Sequence, residues 1–243
     1  MISDYGLPTA DSCLPADFKK AIEIAEKVFK ELPTFVKIGL SEKEVAQKIR
    51  SALKKHGAKK EAFRIIVASG KNSTKIHGFA GRRKIKQGDI VMFDFGALYN
   101  TFRSDITRTY IIGKPTKKHK KIWALLLKAQ KGAIEKIKAG TSCKVVDLTA
   151  RAIIQRAGHG ENFIHSTGHA VRHKIHEYPR IRSKSRGVLK EGDVITIEPG
   201  IYIKGWGGMR VEDMVLVTKR GYRVLTRLPQ TLTLNPSPRG RGT

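Results

Sequence analysis

The chain repeats one order of segments after roughly one hundred residues, and this repeat limits its fold more than any other feature. Residues 38–57 (IGLSEKEVAQKIRSALKKHG) resemble residues 139–158 (AGTSCKVVDLTARAIIQRAG), and residues 88–96 (GDIVMFDFG) resemble residues 192–200 (GDVITIEPG). Each half thus combines a helical pattern with a strand-like pattern. The repeat predicts an α+β domain of two pseudo-twofold-related halves, with strands meeting at the centre and helices outside.

The apolar periodicity predicts the elements of each half. Apolar residues recur at helical spacing from Phe18 to Leu32, and a capping box formed by Ser41 and Glu44 starts a second helix. The other predicted elements are helices across about 117–138 and 143–157, and strands near 63–69, 88–95, 192–203 and 210–218.

The two ends of the chain lack this periodicity. We expect residues 1–14 to form a short leader and residues 231–243 (TLTLNPSPRGRGT) to form a disordered tail. Residues 15–230 would then form one domain. A chain of 243 residues that is 40% hydrophobic is long enough to bury a sizeable core.

The chain is strongly basic, with 48 Lys and Arg residues against 21 Asp and Glu residues and a formal net charge of +27. This charge favours weak, non-specific association with nucleic acid, although lysines between apolar helix positions also form an ordinary solvated face. Cys13 and Cys143 are the only cysteines, which fits a reducing compartment. Since no apolar run reaches the length of a membrane helix, we expect a cytoplasmic protein that does not contact a membrane.

Four acidic residues occupy corresponding positions of the two repeats, with Asp94 matching Glu198 and Asp105 matching Glu212. Asp94 interrupts the buried-strand pattern VMFDF, where a carboxylate is unfavourable unless its charge is balanced. One interpretation is that some of these acids face solvent on an edge strand. The repetition of both positions favours instead a shared centre that holds cations.

A hairpin in each half would bring its two acids together. A turn centred between Tyr99 and Asn100 would place Asp94 opposite Asp105, although a slip of one residue would also fit. A turn centred on Gly205 would pair the two acids of the second half in the same way. Opposed like charges destabilise a sheet, so we expect cations or protonation to balance them.

Histidines add a second type of metal ligand. Those in the segment 165–179 (HSTGHAVRHKIHEYP) are His165, His169, His173 and His176. Imidazole beside carboxylates shifts the metal preference towards Mn, Fe, Co or Zn. Gly168 and the β-branched residues favour a loop and a strand here, so the helical HExxH zinc motif is not indicated.

Five motifs together resemble the methionine aminopeptidase and proline peptidase family, which has the pita-bread fold. They are FRIIVASGKNSTKIHG, GDIVMFDFGALYNTFRSDITRTYIIG, STGH followed by HEYP, GDVITIEPGIYI and GMRVEDMVLVT, and the resemblance covers about residues 16–230. It implies a central, mainly antiparallel curved sheet with helices outside. The segments RVED and IEPGIY are most similar to the proline-specific branch.

The resemblance also implies a centre of two divalent metal ions held by five side chains. Asp105 and Glu212 would bridge the two ions, Asp94 would bind one ion, and His169 with Glu198 would bind the other. The metal would be Mn, Co, Fe or Zn. Two such ions activate a water for attack on a peptide carbonyl.

Catalytic roles follow from the same resemblance. Glu198 would move a proton from the attacking water to the leaving amine, and His176 would donate a hydrogen bond to the carbonyl oxygen. His77, in the segment KIHGF, would line the substrate site and take part in catalysis. His165 and Arg180 would belong to the same polar shell.

Three further arginines bear on substrate preference. Arg103 and Arg210 each precede a predicted bridging acid by two residues. On a strand they would share the face of that acid, and they would either border the site or simply pair with it. Arg172, in GHAVRH, would contact the free carboxylate of a short substrate.

We therefore expect a dinuclear metallopeptidase that removes an N-terminal residue, preferentially one that precedes proline. Methionine aminopeptidase activity is the alternative within this class, favoured by the short region ahead of the catalytic domain. The alternative of another class is a non-catalytic relative that binds nucleic acid or ribosomes, and the complete ligand set argues against it. Peptides would be the partners, and a homodimer would be compatible with this assignment.

Overall fold

The computed structural model describes residues 14–235, and its α-helices match the four predicted ones. They are α1 (Ala16–Phe35), α2 (Glu42–Lys55), α3 (Lys117–Ile134) and α4 (Cys143–Arg156), and short 3₁₀-helices span Gly70–Thr74 and Gly160–Asn162. None of the helices in this range is long and apolar enough to cross a lipid bilayer. Residues 1–13 of the predicted leader lie outside the described residues.

The strands of the described range form two larger and two smaller sheets. The strands are β1 (Lys60–Glu61), β2 (Ile66–Ser69), β3 (Ile90–Phe95), β4 (Ala97–Tyr99), β5 (Phe102–Arg103), β6 (Ile106–Ile112), β7 (Gly168–Ala170), β8 (Glu177–Ile181), β9 (Val194–Ile197), β10 (Gly200–Ile203), β11 (Gly207–Arg210), β12 (Asp213–Val217), β13 (Tyr222–Val224) and β14 (Thr233–Leu234). The larger sheets have the orders β14-β6-β3-β2 and β13-β12-β9-β7-β8, and the smaller ones are β1-β4-β5 and β10-β11. Nearly all neighbours are antiparallel, which confirms the predicted α+β class.

The predicted capping box starts helix α2. The hydroxyl of Ser41 accepts a hydrogen bond from the amide of Glu44, and the carboxylate of Glu44 accepts one from the amide of Ser41 at 2.7 Å. These two bonds satisfy amide groups that the first helical turn leaves without partners. The inward face of the helix carries Val45, Ile49 and Leu53, all fully buried.

Each larger sheet packs against its own helices, and the two halves meet between the sheets. One core lies between helices α1 and α2 and strands β3 and β6, where Phe29 stacks on Phe95 with ring centroids 4.0 Å apart. The other core lies between helices α3 and α4 and strand β9. The amide of Glu212 donates to the carbonyl of Thr107 at 3.1 Å, so the backbone itself joins the halves. The acids of both halves therefore converge on one place.

The register of the first hairpin differs from the prediction. Asp94 lies opposite Thr107 rather than Asp105, because the two-residue turn is Asn100–Thr101. Asn100 has a φ of 50°, in the left-handed region that asparagine tolerates better than most residues. Asp105 still shares the face of Asp94, since it is two residues from Thr107.

The second hairpin has the predicted register. Gly200 lies opposite Arg210, and Ile197 lies opposite Asp213. These two pairs flank Glu198 and Glu212 and have the same register, so the two acids lie opposite each other. The turn centred on Gly205 predicts this arrangement.

The predicted disordered tail includes the last described strand. Strand β14 pairs in parallel with Ile111 and Ile112, and Leu234 is buried in the first core. The expectation of disorder therefore does not hold for Thr233–Leu234. Residues 236–243 lie outside the described residues.

Candidate metal centre

A cavity of about 260 Å³ lies where the two halves meet, and all of the predicted site residues line it. They are Asp94, Asp105, His169, Glu198 and Glu212, together with His77, His165 and His176. Arg180 and Arg210 line the same cavity. Its four carboxylates thus face two guanidinium groups, which leaves negative charge to be balanced.

The five predicted ligands come from the ends or middles of central strands. Asp94 lies within β3, Asp105 immediately precedes β6, and His169 is the middle residue of β7. Glu198 follows β9, and Glu212 immediately precedes β12. Alternation of side chains along these strands directs the acids to one side of each sheet, opposite the apolar cores.

Three of these side chains form a compact donor cluster. Single ligand atoms of Asp105, His169 and Glu212 all lie within 4.8 Å of one another, and all three residues are buried. The Nε2 atom of His169 lies 3.6 Å from Asp105 Oδ2 and 3.4 Å from Glu198 Oε1. This spacing between donors suits groups that share a cation.

The orientation of His169 also fits a metal ligand. Its Nδ1 atom lies 3.1 Å from the carbonyl oxygen of Ala170, which can only accept, so Nδ1 carries the proton and Nε2 presents its lone pair to the acids. Burial lowers the pKa of His169 to about 3, so the ring is neutral at pH 7. A lone pair that faces two carboxylates fits a cation held between them.

Asp94 provides a second test of the fit. Its Oδ2 atom lies 2.5 Å from Nη2 of Arg210, whereas its Oδ1 atom is buried and has no hydrogen-bond partner among the described residues. A buried neutral polar group without a hydrogen-bond partner costs about 1–3 kcal/mol, and a buried carboxylate oxygen costs more because it carries charge. A bound cation would remove this cost. The donor set and this unpartnered oxygen both fit divalent metal ions.

Burial and mutual repulsion perturb the acids of the cavity. Burial, followed by the charge of Glu212, raises the pKa of Asp105 well above its usual range. Burial and the charge of Glu198 likewise raise the pKa of Glu212 well above its usual range. Burial raises the pKa of Glu198 to about 7. Without added positive charge, these carboxylates cannot all ionise at neutral pH.

A polar network that sequence reasoning did not predict holds the acids in place. Thr107 Oγ1 donates to Glu212 Oε2 at 2.7 Å, and Thr196 Oγ1 lies 3.3 Å from Glu198 Oε1. Both threonines lie on the face of a predicted ligand, two residues from it along a strand. That spacing is the sequence signal that would have identified them.

The three remaining histidines differ in their contacts. The ring of His176 lies 4.5 Å from that of His169, and burial lowers the pKa of His176. His165 is engaged by the protein at both nitrogens, since Nδ1 lies 2.7 Å from the carbonyl of Ser166 and Nε2 lies 3.0 Å from Tyr202 Oη. In the described part of the chain, no side chain or backbone group forms a hydrogen bond with a ring nitrogen of His77 or His176, and both line the cavity that a substrate would enter. The two bonds of His165 instead indicate a positioning role.

Two of the arginines singled out from the sequence lie away from this cavity. Arg103 donates from Nε to the carbonyl of His173 at 2.9 Å and lines a neighbouring groove. Arg172 is exposed, lies 6.0 Å from the ring of Phe102 and lines another groove. The expected contact of Arg172 with a substrate carboxylate at the metal centre is therefore not supported by its position.

The two α+β halves and the carboxylate–imidazole cluster between them define a pita-bread domain with a candidate metal centre. The chain belongs to metallopeptidase family M24, whose family model matches residues 16–219. This finding confirms the family that the motifs indicated.

Individual relatives agree with this assignment. The chain is 48% identical over 214 residues to the Xaa-Pro dipeptidase of Pyrococcus furiosus, which covers 88% of this chain and 62% of that protein. The Xaa-Pro dipeptidase of Pyrococcus horikoshii is 46% identical over 88% of this chain and 61% of its own length. The chain thus spans about three-fifths of the length of these curated relatives.

Solved structures agree with the fold. The X-Pro aminopeptidase from Thermotoga maritima MSB8 has a TM-score of 0.87 at 39% identity, over 89% of this chain and 62% of that one. The prolidase from Pyrococcus furiosus has a TM-score of 0.85 at 47% identity, over 88% of this chain and 63% of that one. At these identities the core of the fold is shared.

Proposed function

We propose that the chain from residue 15 through strand β14 forms the catalytic domain of a two-metal peptidase that hydrolyses the bond between an N-terminal residue and proline. The observation that carries this proposal is the convergence of four carboxylates and one imidazole in one cavity, where a buried oxygen of Asp94 has no hydrogen-bond partner within residues 14–235. The similarity to proteins named Xaa-Pro dipeptidase supports the choice of substrate.

The proposed ligand assignment is the one that the resemblance to the family implies, and the cluster of Asp105, His169 and Glu212 supports it. Asp105 and Glu212 lie on opposite halves and would bridge the two ions, Asp94 would bind one ion, and His169 with Glu198 would bind the other. Bound divalent ions would act as Lewis acids and activate a water for attack on the peptide carbonyl. The bound metal would be Mn, Co, Fe or Zn, and elemental analysis of the purified protein identifies which.

The protein side chains would move the proton and stabilise the developing charge. Glu198 would accept the proton of the attacking water and pass it to the leaving amine. His176 lines the cavity and would donate a hydrogen bond to the carbonyl oxygen as its negative charge develops, and His77 lines the same cavity and would contact the substrate. Arg180, rather than Arg172, brings a positive charge to the substrate cavity.

Metal dependence is the first test. Chelation should abolish cleavage of Ala-Pro, and addition of Mn²⁺ or Co²⁺ should restore it. The Glu212→Ala variant should lose both bound metal, measured by elemental analysis, and activity, because a bridging ligand is removed. Glu191→Ala, an exposed acid just before strand β9, is the matched control and should retain both. Full turnover by a preparation verified as metal-free would refute the proposal.

Substrate preference separates the proposed function from methionine aminopeptidase activity. We expect a higher kcat/KM for Ala-Pro and Met-Pro than for Met-Ala-Ser, with either metal. A preference for Met-Ala-Ser of tenfold or more, about 1.4 kcal/mol of transition-state stabilisation, would assign the methionine activity instead.

Location in the cytoplasm and a homodimer stay predictions from the sequence.

A further inference from the structure

A second groove opens directly beside the metal cavity. It has a volume of about 480 Å³, and it shares two lining residues, Phe63 and Ile175, with that cavity. The remaining lining residues come from strand β1 and the segment after it, from strand β5, and from the segment before strand β8. A peptide bound at the metal cavity would therefore enter this groove if it is long enough.

The lining of this groove is cationic. Its positive residues are Lys60, Arg64, Arg103 and Lys174, and we call it the cationic groove. Its acidic residue, Glu61, is already engaged in an ion pair with Arg50 at 2.9 Å. The groove thus presents positive charge that Glu61 does not neutralise.

Two of these cations are held in position by the protein. The guanidinium of Arg103 donates from Nε to the carbonyl of His173 and from Nη1 to the carbonyl of Ala62, so it bridges the two segments that border the groove. The guanidinium of Arg64 stacks on Phe79 at 3.6 Å from the ring centroid. Preorganised guanidinium groups lose less conformational entropy when they bind a carboxylate.

We propose that the cationic groove binds acidic residues of a peptide substrate on the carboxyl side of the scissile bond, which makes acidic oligopeptides the preferred substrates. The inference rests on the proposed peptidase function. The direction follows from the proposed reaction: only one residue precedes the scissile bond, so the part of a long peptide that extends past the metal cavity lies on the carboxyl side of that bond. The groove also repels the free ammonium of the substrate. The chain beyond the cleaved bond therefore occupies the groove, and carboxylates there are favoured.

Three peptide amides test this preference, since the terminal amide removes the carboxylate that every free peptide carries. They are Ala-Pro-Glu-Glu, Ala-Pro-Gln-Gln and Ala-Pro-Lys-Lys. For the metal-loaded protein we expect kcat/KM to be about tenfold higher for the Glu peptide than for the Gln peptide, as two exposed ion pairs allow, and lowest for the Lys peptide. The difference should lie mainly in KM and should shrink in 0.5 M salt.

A pair of double variants assigns the effect to the groove. In Lys60→Gln/Lys174→Gln, the ratio of kcat/KM between the Glu and Gln peptides should fall to about threefold or less. In Lys128→Gln/Lys136→Gln, which removes the same charge from exposed positions in or just after helix α3, the ratio should equal that of the wild type.

The outcomes distinguish this inference from the function beneath it. Equal kcat/KM for the three peptides, or an equal fall of the ratio in both double variants, would overturn the inference while leaving Xaa-Pro cleavage intact. An RNA oligomer whose binding is lost only in Lys60→Gln/Lys174→Gln, with no preference among the peptides, would assign the groove to nucleic acid and overturn it as well. Failure to cleave any Xaa-Pro peptide would refute the proposed function itself.

Discussion

Arg210 connects the metal centre to the rest of the protein at the level of single residues. Its Nη2 atom binds Asp94, its Nη1 atom donates to Tyr202 Oη at 2.8 Å, and its Nε atom donates to Thr107 Oγ1 at 3.1 Å. Thr107 in turn donates to Glu212. One arginine of the second half thus orients acids of both halves, which planar guanidinium geometry allows and a lysine would not.

The sequence predicted the position of Arg210 but not its partner. Strand alternation placed it on the face of Glu212, and it does line the metal cavity. Its strong ion pair is with Asp94, which lies 116 residues earlier in the other half. Periodicity within one strand carries no information about contacts between halves, so that partner could only be seen in the structure.

Replacement of His176 tests the proposed role of a single side chain in catalysis. If His176 donates to the developing oxyanion, His176→Ala should lower kcat by about 10²–10³-fold, the usual effect of losing one such donor. Metal content should stay near that of the wild type, because His176 is not among the proposed ligands. The measurement is steady-state kinetics on Ala-Pro, with elemental analysis of the same samples.

His173→Ala is the matched control for this variant. His173 is exposed and packs against the ring of Phe102, outside the metal cavity. Its replacement should leave kcat within about twofold of the wild type, as is usual for surface positions. If both variants turn over Ala-Pro at the wild-type rate, His176 has no catalytic role.

At the level of elements, a break within the first hairpin explains why the prediction for Arg103 from strand alternation failed. Strands β3 and β6 belong to one sheet, whereas β4 and β5 belong to another. The chain crosses from one sheet to the other at Gly96 and Ser104, where a Cβ atom on Gly96 would lie 1.7 Å from the carbonyl oxygen of Ser104. Alternation does not continue across such a close approach, so Arg103 points away from the metal cavity although Asp105 points into it.

The turn of the same hairpin gives a prediction about stability. Asn100→Val should lower the free energy of unfolding by about 1–2 kcal/mol, because valine is strained at the φ of 50° found here. Asn100→Gly loses the same side-chain hydrogen bond to Asp17 but has no such strain, so it should be clearly more stable than the valine variant. Urea unfolding followed by circular dichroism measures both. Equal stability of the two variants would contradict a left-handed residue at this position.

At the scale of the whole molecule, the internal repeat carried most of the information in the sequence. It indicated the two halves and their matching acids, because both occur twice in the sequence. The matching acids in turn indicated a shared centre. The cationic groove is formed by segments far apart in the chain, around Lys60, Arg103 and Lys174. Features that appear only when distant segments meet have no local pattern to reveal them.

The net charge of +27 gives the last prediction, which concerns nucleic acid. Four exposed lysines, Lys117, Lys118, Lys120 and Lys121, crowd the first turns of helix α3, whose first turn has no acidic residue. There they add to the positive end of the helix dipole. We expect this surface to bind oligonucleotides weakly and without sequence preference. Roughly four phosphate contacts would make the affinity fall about 100-fold between 50 and 200 mM salt.

Fluorescence anisotropy with labelled oligonucleotides of unrelated sequence measures this dependence. Each lysine that contacts a phosphate releases counterions, so each contributes about −0.9 to the slope of log affinity against log salt concentration. Replacement of the four lysines by glutamine should therefore make this slope less steep by roughly 3 to 4. Peptidase activity should be unaffected, since helix α3 contributes no residue to the metal cavity. A complex that prefers one sequence and persists at physiological salt would instead indicate base recognition, and would make nucleic-acid binding a specific function of this protein.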